Sequence, residues 1–402
     1  MTVPPVPHAE VTVDLTAIRD NVSRLSRAAD GAQTMAVVKA DAYGHGLVPA
    51  AWAAKAGGAE WLGTAVLAEA VALRRAGLPG RVLAWLAAPG EDYDTALDED
   101  IDVAAYAPWQ LEEIAAAAGR TGRPARVHLK VDSGLGRGGV MPAEWDTVVE
   151  HALRLESARA LRLVGVWTHF AYADAPGHPT IGTQLEVFAD AVERAELAGA
   201  ELEVRHAANS AATLTLPEAR FDLVRPGLAV YGLSPIPDVA TAAALGLRPA
   251  MRLAGRVALV KSVPAGHGVS YGHTYVTPRP TRLALVPLGY ADGVPRHASG
   301  TGPVHVCGRT FPVAGRVCMD QVVLDVGDAD GDVGDDAVLF SDGRHGEPTA
   351  QDWADAAGTI SYEIVTRISG RLPRRYLGAE ATQPGRRQQS DEARHHQRTE
   401  VG

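Results

Sequence analysis

The sequence predicts an α/β chain, an N-terminal (β/α)8 barrel of the TIM type followed by a mostly-β C-terminal domain. Three observations carry that expectation. Short β-rich runs alternate with Ala/Leu-rich helical runs from Ala9 to about Ala240. Eight such pairs fit into roughly 230 residues, the number a parallel barrel requires. Beyond Leu245 the helical runs give way to strand-like runs broken by Gly, Pro and Asp. A doubly wound open sheet accommodates the same alternation and stays open at this level.

Taken in order, the β-like runs are TMAVVK (34–39), EWLGTA (60–65), RVLAWL (81–86), DVAAYA (102–107), ARVHLKVD (125–132), LRLVGVWTH (161–169), EVRHAAN (203–209) and FDLVR (221–225). Between them lie LVPAAWAAKAGG, AEAVALRRAG, PWQLEEIAAAAGR, MPAEWDTVVEHALRL and GTQLEVFADAVERAELAG, with apolar residues three and four apart and several ending at Gly. The second half offers AMRLAGRVALVKSV, TRLALVPLG, PVHVCGRTFPVAG and QVVLDV. The expected division is a barrel over residues 1–243, a β domain over 244–377 and a polar, aperiodic, disordered tail over 378–402. Residues 1–10 read as an extended arm.

Composition narrows the function classes. A net charge of −10 opposes general nucleic-acid binding, which needs a basic excess. No apolar run is long enough to span a membrane, and MTVPPVPHAE lacks the pattern of a secretory signal. Two cysteines, Cys307 and Cys318, are too few for a disulfide framework, so a cytoplasmic protein is expected. The acidic stretch DVGDADGDVGDD (325–336) has no Gly where a calcium loop's sharp turn requires it and no flanking helices, and reads as a solvated hairpin turn. No metal site is expected.

Only four lysines occur: Lys39, Lys55, Lys130 and Lys261. In a barrel the chemistry sits at the C-terminal strand ends. Strand one ends in Lys39, strand five in Lys130 and Asp132, and strand six in Thr168 and His169. Strand seven runs into His206, Asn209 and Ser210, and strand eight into Arg225. Any one of these is ordinary; a lone His206 is more often structural. Together they suggest Schiff-base chemistry, in which a buried lysine among cations is available as a free amine. Pyridoxal 5'-phosphate would also need a phosphate cradle, which NSAATL and RPGLAVYG could form, and a ring-nitrogen partner such as Arg225. GLGRGG (134–139) satisfies G-x-G-x-x-G after a strand, but at the fifth unit of a chain with 42 glycines this is a weak sign of a dinucleotide.

AVVKADAYGHG, HLKVDSGLGRGGV, WTHFAYAD, RHAANSAATL, VRPGLAVYGL, GVSYGHTY, GYADGV, GRVCMDQ and SYEIVTRISGRLPR, in this order, resemble the alanine racemase family over residues 10 to about 377. The resemblance implies a fold-type-III pyridoxal-phosphate enzyme, a homodimer with an active site shared between subunits, that interconverts L- and D-alanine for peptidoglycan precursors. It gives Lys39 as the cofactor lysine and first base, and Tyr271 as the second base. Tyr43, Ser210, Gly227, Leu228 and Tyr362 match phosphate-holding positions. Arg225 matches the residue facing the pyridine nitrogen, with His169 and His206 supporting it. Arg137 and Met319 match substrate-contacting positions. Lys130 matches a position that some members carbamylate to brace that arginine. Tyr290 matches an entrance residue, and Asp320, beside Met319, a supporting one.

The residue types suit the chemistry. Racemisation takes the α-proton from one face and returns one to the other, so two carriers are needed. A tyrosine of ordinary pKa near 10 needs positive charge nearby to serve, and Arg137, Arg225 and His169 are candidate sources. Without the resemblance, Tyr271 reads as a buried core tyrosine in a hairpin. Arginine opposite the pyridine nitrogen leaves that nitrogen unprotonated, which weakens the electron sink and limits transamination. A decarboxylase or broader racemase of the same fold type is an alternative, since a small pocket discriminates serine from alanine by only about 1–3 kcal/mol. A non-catalytic cofactor carrier is another, but would need neither Tyr271 nor Met319.

Overall fold

The computed structural model describes residues 7–378. The tail beyond residue 378 and the first six residues of the expected arm lie outside the described residues. The chain divides into two compact units, one of residues 18–39 and 47–230, the other of residues 7–17, 40–46 and 231–377.

The first unit is an eight-stranded parallel barrel. Its strands are β2 (Gln33–Val37), β3 (Trp61–Thr64), β4 (Arg81–Ala84), β5 (Asp102–Ala105), β6 (Ala125–Lys130), β7 (Leu161–Trp167), β8 (Val204–His206) and β9 (Leu223–Val224). Their order around the sheet is their order in sequence, with β9 pairing back onto β2. Hydrogen bonds from Asp222 N to Arg205 O (3.1 Å) and Arg225 N to Ala208 O (2.8 Å) close β8 against β9. That closure removes the open-sheet alternative. Met35, Trp61, Leu83, Ala104, Trp167, Val204 and Leu223 fill the interior from seven strands. Each strand is shorter than its apolar run, because the last residues of each run turn out into the rim. The helix Tyr93–Asp98, capped by Asp92 Oδ1 accepting from Thr95 N (3.0 Å), has no apolar periodicity and was not expected.

In the second unit the six-stranded sheet contains β1 (Ala9–Asp14) and β10 (Met251–Arg256). With them lie β15 (Pro303–Val306), β16 (Arg309–Pro312), β18 (Asp336–Phe340) and β19 (Arg374–Leu377). β11 (Leu259–Val263), β14 (Thr281–Val286) and β17 (Val322–Gly327) form a three-stranded sheet, and β12 (Gly268–Val269) pairs with β13 (Tyr275–Val276). The burial of β17 alternates residue by residue, as a one-sided strand requires. Two differences from the sequence reading stand out. Ala9 and Glu10, the end of the expected arm of residues 1–10, are part of β1, which lies between β10 and β19, antiparallel to one and parallel to the other. The stretch 325–336 is not a hairpin turn either, because β17 and β18 belong to different sheets.

Candidate active site

The residues just past the end of each strand build the rim of the barrel unit. Val37 N donates to Pro226 O (2.9 Å) and Val38 N to Gly63 O (2.8 Å), so the backbone ahead of Lys39 is held from both neighbouring strands. Lys39 is half-buried, and burial, then the charge of Arg137, lower its pKa, against a smaller opposing effect of Glu69. Lys130, buried with its Nζ 4.9 Å from the Trp167 ring centre, is lowered to about 8 by burial and then by Arg137 and Arg225. One exposed arginine therefore acts on both lysines.

Arg225 is buried and donates to Thr168 O (2.7 Å), Ala207 O (3.0 Å) and His206 Nδ1 (3.0 Å), with His169 Nδ1 at 3.4 Å. No carboxylate pairs with it among the described residues. Burial lowers its pKa to about 9 and pushes His169 and His206 well below the usual imidazole range, with Arg225 the next cause for both. Asn209 Oδ1 accepts from Ala212 N (3.1 Å) and starts the helical turn Ser210–Thr215. Ser210 Oγ accepts from Gly227 N (2.8 Å) and Ala229 N (3.3 Å), which leaves its own hydrogen available to donate. Ser210, Gly227 and Leu228 thus form one cluster.

The G-x-G-x-x-G stretch is not a phosphate cradle. Asp132 Oδ1 accepts from Gly134 N (3.0 Å), Leu135 N (2.9 Å) and Gly136 N (3.1 Å), so the backbone donors are already taken by a carboxylate. Burial pushes that carboxyl up, but these three donors outweigh it and hold its pKa low. The next helix begins only at Trp145. The loop instead carries Arg137.

In the other unit, Ala40, Asp41, Ala42 and Tyr43 are all left-handed, with φ between 53° and 55°. Such residues cost about 1–2 kcal/mol each. Bonds from Gly44 N to Ala40 O (3.0 Å), His45 N to Ala42 O (3.0 Å) and Gly46 N to Asp41 O (2.9 Å) offset part of that. His45 Nδ1 lies 3.0 Å from both Ala42 O and Tyr43 O, and burial lowers its pKa to about 4, so the neutral ring donates there. The turn presents the buried Tyr43, whose ring lies 6.1 Å from that of Tyr362. Burial, then Tyr362, raises the Tyr43 pKa, so its phenol stays a donor.

Tyr271 opens a short turn after Ser270, whose φ is 60° and whose Oγ donates to Arg316 O (2.7 Å). At 69% exposed, Tyr271 is not the core tyrosine that its hairpin context suggested. Met319 and Tyr290 are also exposed, and their loops are tied by Tyr290 N to Cys318 O (3.0 Å) and Ala291 N to Met319 O (2.9 Å). Arg371 links the same two loops, from Nε to the buried Asp292 Oδ1 and from Nη2 to Asp320 Oδ1, both 2.6 Å.

Known proteins match this chain over most of its length. Residues 13–235 match the family model "Alanine racemase, N-terminal domain", and residues 250–376 match "Alanine racemase, C-terminal domain". The chain belongs to the alanine racemase family. The alanine racemase of Frankia casuarinae is 58% identical over 365 residues, which cover 91% of this chain and 95% of that one. The Streptomyces coelicolor alanine racemase is 57% identical, over 92% and 96% of the two chains. A crystal structure of alanine racemase from a D-cycloserine-producing Streptomyces lavendulae superposes with a TM-score of 0.92 at 55% identity, covering 93% of this chain and 98% of that one.

Within this alanine racemase frame, sequence reasoning missed three groups. His128 and Asp102 lie buried beneath His206, and Asp292 lies beneath the Tyr290 turn. His128 was findable: it stands two residues before Lys130 on the same strand, and so on the same face. Nothing local marked Asp102 or Asp292. Among the described residues no helix is long and apolar enough to cross a membrane, and no three His, Cys, Asp or Glu gather as metal ligands.

Proposed function

We propose that the chain racemises alanine by passing the α-proton between two side chains on opposite faces of the substrate, Lys39 and Tyr271, with pyridoxal 5'-phosphate bound at the barrel rim. When bound, the cofactor supplies the electron sink that makes the α-proton acidic. The observation that carries the reading is the rim itself, where amines, imidazoles and a guanidinium without a carboxylate partner gather around Lys39. A buried donor of that kind suits an unprotonated ring nitrogen, and the Ser210 hydroxyl and Tyr43 phenol suit a phosphate. The donor set fits the cofactor.

In this reading Lys39, with its lowered pKa, offers a free amine that takes or returns the proton on one face. Tyr271 serves the other face. Ser210, Gly227, Leu228, Tyr43 and Tyr362 hold the phosphate, while Arg225, backed by His206 and His169, orients the ring. Arg137 and Met319 hold the substrate, Lys130 braces Arg137, Tyr290 guards the entrance, and Asp320 steadies Met319 through Arg371. The exposure of Tyr271 supports a homodimer in which it reaches the partner subunit's site. We assign residues 18–39 and 47–230 to the cofactor-binding barrel and 244–377 to the β domain, with residues 7–17, 40–46 and 231–243 grouped with the β domain rather than, as the sequence suggested, with the barrel. We place the enzyme in the cytoplasm, supplying D-alanine for peptidoglycan precursors.

The test is incubation of the cofactor-loaded protein with L-alanine in deuterated water. Deuterium at the α-carbon and D-alanine are expected together. Exchange without D-alanine would refute racemisation.

A further inference from the structure

A line of buried polar groups runs down the barrel interior from the rim to the opposite end. Arg225 Nη1 lies 3.0 Å from His206 Nδ1, His206 Nε2 lies 3.0 Å from His128 Nδ1, and His128 Nε2 lies 3.3 Å from Asp102 Oδ2. His206, His128 and Asp102 are fully buried. Asp102 is the first residue of β5, at the N-terminal end of the barrel, and Arg225 follows the C-terminal end of β9. Arg126 holds Asp102, with Nε 3.2 and 3.1 Å from its two oxygens, and its outer nitrogens bind Glu203 at 2.9 and 2.6 Å. Indoles wall the line: Trp167 stacks parallel on His206 at 5.7 Å, and Trp61 meets His128 edge-on at 5.7 Å.

The proton positions along this line are forced. A guanidinium only donates, so His206 Nδ1 must accept and the one proton of that ring lies on Nε2. His206 Nε2–H then donates to His128 Nδ1, which leaves the proton of His128 on its own Nε2, facing Asp102. An ionised carboxylate accepts it. Every hydrogen bond points from Arg225 toward Asp102, and no group in the line is unsatisfied.

We infer that Asp102 is a positioning residue for Arg225, acting across the barrel through His128 and His206 to fix the direction of this chain. The inference rests on the reading of Arg225 as the partner of the cofactor ring. The carboxylate end sets the polarity, and the rim end presents a guanidinium whose remaining donors are held in place. Reversing the polarity at Asp102 would turn an N–H of His206 against an N–H of Arg225 and push the guanidinium out of its seat. The logic is that of a buried carboxylate that selects an imidazole tautomer from behind.

The test is nitrogen-15 NMR of histidine-labelled holoenzyme. The pair is recognised by coupling through the imidazole–imidazole hydrogen bond, which among the described residues only His128 and His206 make. Both rings are expected to carry their proton on Nε2. A proton on Nδ1 of either ring, or a doubly protonated ring, would overturn the inference whatever any variant does. In Asp102→Asn the amide gives its oxygen to Arg126 and its N–H to His128, so the proton of His128 should move to Nδ1. We expect kcat to fall roughly tenfold or more while KM for alanine changes less than about threefold, and the visible band of the bound cofactor to shift. Holoenzyme D102N with unchanged tautomers and wild-type kcat would also overturn it; should D102N not fold, the wild-type tautomers decide. Failure of the wild-type protein to racemise alanine would instead strike the functional reading and leave the tautomer result standing.

Discussion

Gly44→Ala tests whether the left-handed turn is what sets the proposed phosphate end of the site. Gly44 has φ +80°, and a Cβ built there would lie 2.4 Å from Val365 O. Ordinary contact begins near 3.4 Å, so the chain must open by about 1 Å against the helix Ser361–Thr366, which carries Tyr362. The left-handed alanine costs about 1–2 kcal/mol and the overpacking about 1–3 kcal/mol. A total near 2–5 kcal/mol is expected. On the proposed phosphate-holding role of Tyr362, loss of one charge-assisted bond from its phenol, about 1.5–3 kcal/mol, corresponds to roughly 10- to 150-fold weaker cofactor binding. Gly77→Ala is the control, since φ is +79° there and nothing lies within 4 Å. It should show the backbone cost alone, with unchanged cofactor affinity. Thermal unfolding and cofactor titration of both variants measure the two terms. Equal effects in G44A and G77A would refute the argument that the Val365 contact positions Tyr362.

Tyr271→Phe should retain the cofactor while racemisation falls about 10²- to 10⁴-fold, with α-proton exchange of one alanine enantiomer outlasting the other; equal loss of both exchanges would assign Tyr271 a structural role. Chains carrying Lys39→Ala and Tyr271→Phe, each inactive alone, should recover activity on co-expression, up to about half the wild-type level per mixed dimer. Mixed dimers without recovered activity would sink the shared site. Because the Lys130 pKa is lowered to about 8, its neutral amine grows as pH rises through that value, and carbamate formation with it. Carbon-13 bicarbonate should therefore give a carbamate signal that increases from about pH 7 to 9 and is lost in Lys130→Ala; an unchanged signal in that variant would place the carbamate elsewhere.

The barrel was legible because its strands announce themselves by apolar runs at regular spacing, and the order of the runs is the order of the strands. The rim was legible because Lys39, Lys130, His169 and Arg225 each stand where a run ends. Tyr271 was not, since exposure decides between a reactive and a core tyrosine and its hairpin context is silent on exposure. The Asp102–His128–His206 line was hidden for a different reason. It joins residues 26 and 78 apart by side-chain bonds, and neither periodicity nor turn chemistry encodes such pairing. The acidic stretch 325–336 misled because Gly and Asp mark a reversal of the chain without saying which sheet receives the next strand.

The placement of β1 bears on how the chain is made. The ribosome delivers residues 9–14 before the barrel, yet their parallel neighbour β19 (Arg374–Leu377) follows only after the barrel and the other strands of the sheet. Both lateral partners of this strand arrive after the whole barrel has been synthesised, so both its edges stay bare until β10 is made, and the β19 edge until residues 374–377 are. A nascent chain thus carries β1 without either lateral partner while the whole barrel is made, in a topology dominated by distant pairings, and the sheet is complete only once residues 374–377 have followed. Residues 244–377 expressed alone would leave a gap between β10 and β19, and supplying residues 7–17 as a separate peptide would be the way to fill it.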